Sequence, residues 1–383
     1  MKPLPLFPVT TVGSMPRPDK LLRALRAKRR GDMSDADFDG VADSAVLETL
    51  SLQVQAGVDI ITDGEQRRDN FYSFVSDSLD GVQLMSLAQM LDYVEDKAGF
   101  EKLLQTLDVP AYSINNPTCV GKISRRRPLA LQELQFLKQH TDKPIKIPLP
   151  GPYILTRAMW VPEVTGKFYE SKETLAEDVV QILHDEAVAL KEAGADFIQF
   201  DEPVLTELVF TQGQTRTFMC AALASRNDPT EELEFAVGLI NLVVEGLDGV
   251  RTGLHVCRGN WSRNESTLLR GNYAPLRPWF ERLNVQQLVL EYATPRAGDL
   301  LAFGDKELGL GAVNPRTDIV ESREEVLARV REALHIIPKD KIFLNPDCGF
   351  GTFSARPMND LTHIKGKLEV LTETARQLRE EMS

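Results

Sequence analysis

The stretch Thr252–Cys257 (TGLHVC) is a short, mostly apolar run that ends in His255 and Cys257. A run of this length and character is typical of a buried β-strand. Alternate residues of a strand point to the same side, so the imidazole and the thiol face one space. The stretch therefore predicts a strand whose end carries chemically active groups.

Seven similar runs occur elsewhere, and most are followed by a helical pattern. Apolar residues three or four apart predict helices at Lys172–Ala193, Glu231–Val244, Arg323–Leu334 and Leu361–Met382. Alternating strands and helices indicate a parallel sheet, and eight strands predict an α/β fold of the (β/α)8 TIM-barrel type, with its active site at the carboxyl ends of the strands. The eight predicted strands are Val9–Gly13, Ile60–Gly64, Ile145–Leu149, Phe197–Asp201, Thr252–Cys257, Leu288–Tyr292, Leu308–Val313 and Ile342–Cys348.

The length of 383 residues fits one large domain, and we expect a single barrel over residues 1–383. An insertion at about residues 67–142 is expected to hold two or three helices and a small hairpin around Thr118–Ser124. The stretch Thr206–Asp228 is predicted to be a loop on the substrate side.

Composition and charge exclude several classes of function. The formal net charge of -12 argues against nucleic acid or an anionic membrane as a partner. The sequence lacks an apolar run long enough for a membrane span or a signal peptide, so the cytoplasm is the expected location. Four cysteines are too few for a disulfide scaffold in a chain of 383 residues.

Two further candidate ligands, Glu291 and Cys348, also follow short apolar runs. Together with His255 and Cys257 they form a set of two thiols, one imidazole and one carboxylate, which suits zinc. A lone buried cysteine is usually a small core residue, so spacing alone leaves the structural alternative open. If zinc binds, a hard and readily displaced carboxylate beside soft thiolates suits a substrate thiol that enters the coordination sphere. The reaction class is then alkyl transfer to sulfur.

The order of the motifs resembles the C-terminal catalytic half of cobalamin-independent methionine synthase. The resemblance covers nearly the whole chain, and its motifs are weak singly but highly specific together. In chain order they are Thr10-Thr11-Val12-Gly13-Ser14, Asp63-Gly64-Glu65, Pro150-Gly151-Pro152, Gln199-Phe200-Asp201-Glu202-Pro203, His255-x-Cys257, Glu291 and Asn345-Pro346-Asp347-Cys348-Gly349.

The resemblance implies a zinc-dependent methyltransferase that methylates homocysteine to methionine, with a folate or a methylated corrinoid as the donor. It implies that Glu65 and Asp201 are the catalytic-site carboxylates that hold the amino group of homocysteine. The physical argument agrees, because an ammonium group needs anionic partners and a carboxylate needs N–H or hydroxyl donors. The zinc ligands implied are His255, Cys257, Glu291 and Cys348, and the segment that binds the substrate carboxylate is Val12, Gly13 and Ser14.

Two departures from the family weaken the prediction of methyltetrahydrofolate as donor. The longer family members have an additional N-terminal barrel that helps to bind a polyglutamylated folate, and this chain has no such half. The family also carries a histidine near the end of the seventh strand, and the corresponding stretch here, residues 311–316 (GAVNPR), has none.

Two alternative functions stay open at this point. One is a zinc-dependent alkyltransferase for another thiol, such as an epoxyalkane:coenzyme M transferase-like enzyme, whose sulfonate substrate would favour arginine. Candidates for that role are Arg67, Arg68, Arg216 and Arg258. The other is a binding protein with a structural zinc. The two carboxylates, Glu65 and Asp201, favour an amino-acid thiol. Cys119 and Cys220 lack a partner at ligand spacing and are predicted to be structural.

Overall fold

Helices and strands alternate along most of the chain in the computed structural model, which describes residues 2–93, 115–210 and 228–382. The strands are β1 Leu79–Ser86, β2 Asn115–Arg125, β3 Lys146–Pro150, β4 Phe197–Asp201, β5 Arg251–Val256, β6 Gln287–Glu291, β7 Glu307–Val313 and β8 Ile342–Pro346. The α-helices are α1 Asp19–Arg30, α2 Asp35–Gln55, α3 Leu87–Met90, α4 Leu131–Lys138, α5 Pro152–Met159, α6 Pro162–Thr165, α7 Lys172–Glu192, α8 Val204–Phe210, α9 Pro229–Val244, α10 Arg277–Phe280, α11 Arg323–Leu334 and α12 Leu361–Glu381. Short 3-10 helices lie at Ser73–Asp77, Leu91–Tyr93, Glu265–Thr267, Ala274–Leu276, Pro295–Ala297 and Lys339–Lys341.

Strands β3 to β8 form one parallel sheet in which each strand pairs with the next one in the chain. Among the described residues, an α-helix follows every strand of this sheet except β6. Helices α7 and α11 begin at serine caps that form capping boxes. Strands buried on both sides read as nearly continuous apolar runs. This explains why the sequence pattern locates all six of these strands to within two residues at either end.

Two chain segments close this sheet into a ring. Thr10 N donates to Leu344 O at 3.0 Å, and Lys146 N donates to Ile61 O at 2.9 Å. The first and second predicted strands therefore lie between β8 and β3, which completes the eight positions of a TIM barrel. The closing parallel bridges are Val9–Leu344, Thr10–Ile60 and Ile61–Ile145.

The predicted strands Val9–Gly13 and Ile60–Gly64 are too long, because each is reduced to isolated bridges at its first two residues. The chain leaves the ladder early at both places to form the rim of the barrel. At the second, Gly64 takes a φ of 72°, which an extended strand does not contain. The residues that leave the ladder are the ones that the sequence assigned to substrate binding.

The prediction of a small hairpin around Thr118–Ser124 is wrong in its pairing. The whole of Asn115–Arg125 is one strand, β2, and its antiparallel partner is β1, Leu79–Ser86. The expected helices of the insertion are present in part, as α3 and α4, and residues 94–114 lie outside the described part of the chain. The stretch predicted as a loop from Thr206 onward begins within α8 instead, and residues 211–227 lie outside the described part of the chain.

Within the described residues, every helix is too short or too polar to span a lipid bilayer.

Asp59 fastens the first closing segment to the last helix. Its Oδ2 accepts from Val9 N at 2.8 Å and from Arg379 Nη2 at 2.7 Å. Arg379 also donates to the carbonyl oxygens of Leu6 and Phe7, so one guanidinium joins α12 to the start of the chain. A partly buried carboxylate therefore reinforces the ring closure where the strand ladder is reduced to isolated bridges.

We expect Asp59→Ala to lower the free energy of unfolding by about 2 kcal/mol, because hydrogen bonds to charged groups contribute about 1.5–3 kcal/mol. Urea denaturation measures the change. The matched control is Arg331→Ala, which removes a more exposed ion pair between α11 and Glu381 of the same helix α12. That variant should lose less than about 1 kcal/mol. Equal losses in the two variants would contradict the role given to Asp59.

Candidate metal and substrate site

A pocket of about 360 Å³ lies at the carboxyl ends of the barrel strands and is open to solvent. It brings together most of the residues that the sequence assigned to chemistry. The lining residues are Val12, Ser14, Glu65, Phe71, Asp201, Pro203, His255, Cys257, Asn260, Cys348, Gly349 and Thr352.

Three predicted metal ligands meet on one side of this pocket. His255 is in β5, Cys257 directly follows β5, and Cys348 follows β8 by two residues. One ligand atom from each lies within 4.8 Å of the others, and all three side chains are buried. His255 Nε2 is buried without a hydrogen-bond partner among the described residues. A buried nitrogen left free beside two sulfur atoms fits a zinc ion, for which thiolate and imidazole are preferred ligands.

Asp201 fixes the orientation of His255. The imidazole Nδ1 lies 3.0 Å from Asp201 Oδ1, and both side chains are almost fully buried. Burial lowers the pKa of His255, but the hydrogen bond to Asp201 and the adjacent Cys257 outweigh it and raise that pKa to about 9. A carboxylate on Nδ1 of a histidine directs Nε2 toward a metal, as in many zinc sites.

The two thiols are not equivalent. A hydrogen bond between them lowers the pKa of Cys257 and raises the pKa of Cys348 well above its usual value. The pair therefore shares one proton, with Cys257 the first thiolate. A metal ion at this position would take the place of the shared proton, because metal ligation requires deprotonated sulfur.

Glu291 lies beside this group but outside the set of three. Its carboxylate contacts three buried arginines: Arg316 Nη1 at 3.1 Å, Arg296 Nη2 at 3.3 Å and Arg258 Nη1 at 3.6 Å. Burial raises the pKa of Glu291, but the arginines outweigh burial and lower it to about 2. Glu291 as a fourth zinc ligand thus stays a prediction, and in this structure its charge is balanced by arginines.

Glu65 faces the pocket from a strained loop. Its φ of 54° lies in the left-handed region, where only two of the described non-glycine residues fall. The backbone is held there by Arg17, whose Nη2 donates to Glu65 O at 2.8 Å. Glu65 Oε2 is buried with no partner among the described residues, and burial raises the pKa of this carboxyl to about 7. Backbone strain and an unpaired buried oxygen together mark a group that is positioned for a ligand.

The segment Val12–Ser14 lies directly against Glu65. A Cβ atom built on Gly13 would lie 2.3 Å from Glu65 Oε1, so only glycine permits this approach. On the other side, a Cβ on Gly349 would lie 2.1 Å from Ser14 Oγ. The rim of the pocket is therefore packed tightly enough that two glycines are required for Glu65 and Ser14 to line it.

The arginines considered for a sulfonate substrate do not line the pocket. Arg68 pairs with Glu133 and donates to Pro148 O, and Arg67 pairs with Asp43. Arg258 is occupied by Glu291 and by backbone carbonyl oxygens, while Arg216 lies outside the described residues. Among the described residues, no lysine or arginine lines the pocket.

Sequence reasoning missed several lining residues. Asn260 donates to Gly349 O at 2.7 Å and to Thr352 Oγ1 at 2.8 Å, which ties the loop after β5 to the loop after β8. Asn260 stands three residues after Cys257, and no periodic pattern distinguishes it there. Glu202, the neighbour of Asp201, has a structural role, because it accepts from the N–H groups of Tyr153 and Ile154 at the start of α5. Cys119 is buried in β2 and donates to Gly121 O, while Cys220 is outside the described residues.

Comparison with known proteins identifies the family. The profile described as "Cobalamin-independent synthase, Catalytic domain" matches residues 7–363. Methionine synthase from Saccharolobus solfataricus is 30% identical over 100% of this chain and 98% of its own length. Methionine synthase from Thermococcus kodakarensis is 31% identical over 98% and 96%.

Solved structures show the same fold. A B12-independent methionine synthase from Shewanella sp. W3-18-1, in complex with selenomethionine, matches with a TM-score of 0.71 at 24% identity, covering 98% of this chain and 99% of that one. A putative B12-independent methionine synthase from Listeria monocytogenes matches with a TM-score of 0.68 at 20% identity, over 98% and 99%. The chain belongs to the cobalamin-independent methionine synthase family and has the TIM-barrel fold of its catalytic domain.

We expect the purified apoprotein to bind one Co²⁺ ion and to show thiolate-to-cobalt charge-transfer absorption. Cys257→Ser and Cys348→Ser should each weaken this absorption, because each removes one sulfur ligand. Cys119→Ser, at a buried thiol outside the pocket, is the matched control and should leave the spectrum unchanged. A spectrum that is indifferent to Cys257 and Cys348 would rule out this site.

Proposed function

We propose that this protein is a zinc-dependent methyltransferase that transfers a methyl group to the thiol of homocysteine and forms methionine. The observation that carries the proposal is the placement of two kinds of group in one pocket. Cys257, Cys348 and His255 line one side, and the carboxylates Glu65 and Asp201 line the same cavity. A thiol-binding centre next to anionic groups fits a substrate that bears both a thiol and an ammonium.

His255, Cys257 and Cys348 would hold the zinc ion, with Glu291 as the fourth ligand. When bound, zinc lowers the pKa of a coordinated substrate thiol, so that a thiolate nucleophile is available at neutral pH. In this structure the negative charge of Glu291 is already compensated by Arg258, Arg296 and Arg316.

Glu65 and Asp201 would hold the substrate ammonium, and Ser14 with the backbone of Val12 and Gly13 would hold its carboxylate. Glu65 Oε2 has no hydrogen-bond partner among the described residues, so an ammonium would fill an unsatisfied position. Coenzyme M has a sulfonate and no ammonium. A pocket lined by two carboxylates, with no lysine or arginine among its described lining residues, disfavours that acceptor.

The donor that best fits the pocket is one whose leaving group needs no proton, such as a methylated corrinoid. In the transfer, the sulfur–carbon bond forms while the donor–carbon bond breaks, and the electron pair stays on the donor. By contrast, a folate leaving group must be protonated at nitrogen. Of the five histidines in the chain, only His255 lines the pocket, and it is assigned to the metal.

A methyl-transfer assay with zinc-loaded protein tests the proposal. Homocysteine should be methylated and coenzyme M should not, because only homocysteine offers an ammonium to Glu65 and Asp201. Methylcobalamin should support faster turnover than methyltetrahydrofolate. Methylation of coenzyme M in preference to homocysteine would overturn the acceptor, and faster turnover with the folate would overturn the donor.

The Glu65 carboxyl should impose a pH dependence on binding of the amino acid. With a pKa of about 7 it is increasingly neutral below that pH, and the neutral form cannot pair with an ammonium. Methionine is a suitable probe because it has no thiol to titrate. Its affinity, measured by calorimetry, should fall by up to about 10-fold for each pH unit below 7.

Glu65→Gln is the control for this pH dependence. It should weaken methionine binding above pH 7 by about 10- to 100-fold, which is the loss of a charge-assisted hydrogen bond. It should also remove most of the pH dependence. If the variant kept the pH profile of the unaltered protein, another group would be responsible.

A further inference from the structure

We infer that Lys146 is a positioning residue of this site, and that it acts through Gln199 on Asp201 and His255. The inference rests on the proposed function only for the identity of the substrate, because the hydrogen bonds that carry it are independent of that proposal. Lys146 does not line the pocket, and no sequence pattern singles it out.

A chain of hydrogen bonds leads from Lys146 to the metal side of the pocket. Lys146 Nζ donates to Gln199 Oε1 at 3.0 Å, and Gln199 Nε2 donates to Asp201 Oδ1 at 2.9 Å. Asp201 Oδ1 in turn accepts from His255 Nδ1 at 3.0 Å. Lys146, Gln199 and His255 lie on the neighbouring strands β3, β4 and β5, and all four side chains are buried.

Lys146 determines which way the amide of Gln199 faces. A protonated lysine has only donors, so it requires the amide oxygen on its own side. The amide nitrogen is then directed at Asp201 Oδ1 and, at 3.0 Å, at Val12 O. The flipped amide would place its oxygen against a carboxylate and a carbonyl, and its nitrogen against an ammonium. Each of these buried contacts would then be unsatisfied, so the observed orientation of the amide is favoured.

The fixed amide orders two functional groups together. With Oδ1 held by Gln199 and His255, the Asp201 carboxylate cannot rotate freely, and its second oxygen is left for the substrate ammonium. The same contact sets the imidazole plane and hence the direction of Nε2. Val12 O, held by the other N–H of Gln199, belongs to the segment assigned to the substrate carboxylate. One buried lysine thus supports both the segment assigned to the substrate carboxylate and the candidate metal ligand His255.

The charge of Lys146 also suits this position. Its fully buried side chain is close enough to Asp201 and Glu65 for both carboxylates to raise its pKa, although burial lowers that pKa to about 7. Two carboxylates that await an ammonium are costly to bury without a nearby cation. In its protonated form Lys146 places a cation behind them without occupying the pocket.

Lys146→Met tests the inference, because methionine keeps the aliphatic stem and removes every donor. We expect affinity for zinc, measured by chelator competition, and affinity for methionine, measured by calorimetry, to fall by about 10-fold each, as is typical when a partner behind a metal ligand is lost. Lys367→Met is the matched control. Lys367 lies on α12, outside the pocket, and is equally buried. Its Nζ donates to Glu321 Oε2 at 2.8 Å. It should lower the melting temperature without changing either affinity.

Gln199→Glu is a second variant, which keeps the inference testable if Lys146→Met does not fold. The glutamate retains a partner for Lys146 but presents an oxygen to Asp201 in place of a donor. The same losses of zinc and methionine affinity are expected. Unchanged zinc affinity in a folded Lys146→Met or Gln199→Glu protein would overturn the inference. Failure of the unaltered protein to bind methionine would instead count against the proposed function, because the zinc competition does not involve substrate.

Discussion

The hydrogen bond between Asp201 and His255 is the contact on which the rest of the site depends. It follows directly from strand register, because Asp201 in β4 and His255 in β5 are paired residues of adjacent parallel strands. Neighbouring side chains on one face of a sheet are close enough to bond, and here both are buried. One carboxylate therefore orients the imidazole of His255 with one oxygen while it also lines the pocket. A slip of β5 by one residue would turn His255 to the outer face of the barrel, away from Asp201.

Buried charge distinguishes the carboxylates of the site from one another. Glu291 is surrounded by arginines, and its pKa falls to about 2, so its charge is already balanced. Glu65 is buried with a free oxygen, and its pKa rises to about 7, so its charge is not balanced. A protein tolerates such a deficit where a ligand supplies the missing charge. This difference, more than proximity alone, is what supports the proposal that Glu65 binds a cation.

Where it relied on strand ends, sequence reasoning selected residues that line one pocket. His255, Cys257 and Asp201 lie in or directly after strands with nearly continuous apolar patterns, and such patterns fix which residues reach the barrel mouth. It could not foresee the three arginines around Glu291, because they come from separate loops with no periodic signal. Lys146 was missed for a related reason: a lysine in an apolar strand has meaning only beside Gln199, 53 residues away. The first two strands were drawn too long because an apolar pattern does not reveal where a chain leaves its ladder.

The two sides of the pocket are held by different means. The metal side is set by strand ends, with Cys348 only two residues beyond β8. The acceptor side is formed by loops, which Arg17 joins by donating to the carbonyl oxygens of Glu65, Arg68 and Gly351. The strand ends fix the positions of His255, Cys257 and Cys348. Arg17 and the strained backbone of Glu65 fix the loops on the opposite side, so the distance between the two sides of the pocket is set by the barrel and the clamped loops together.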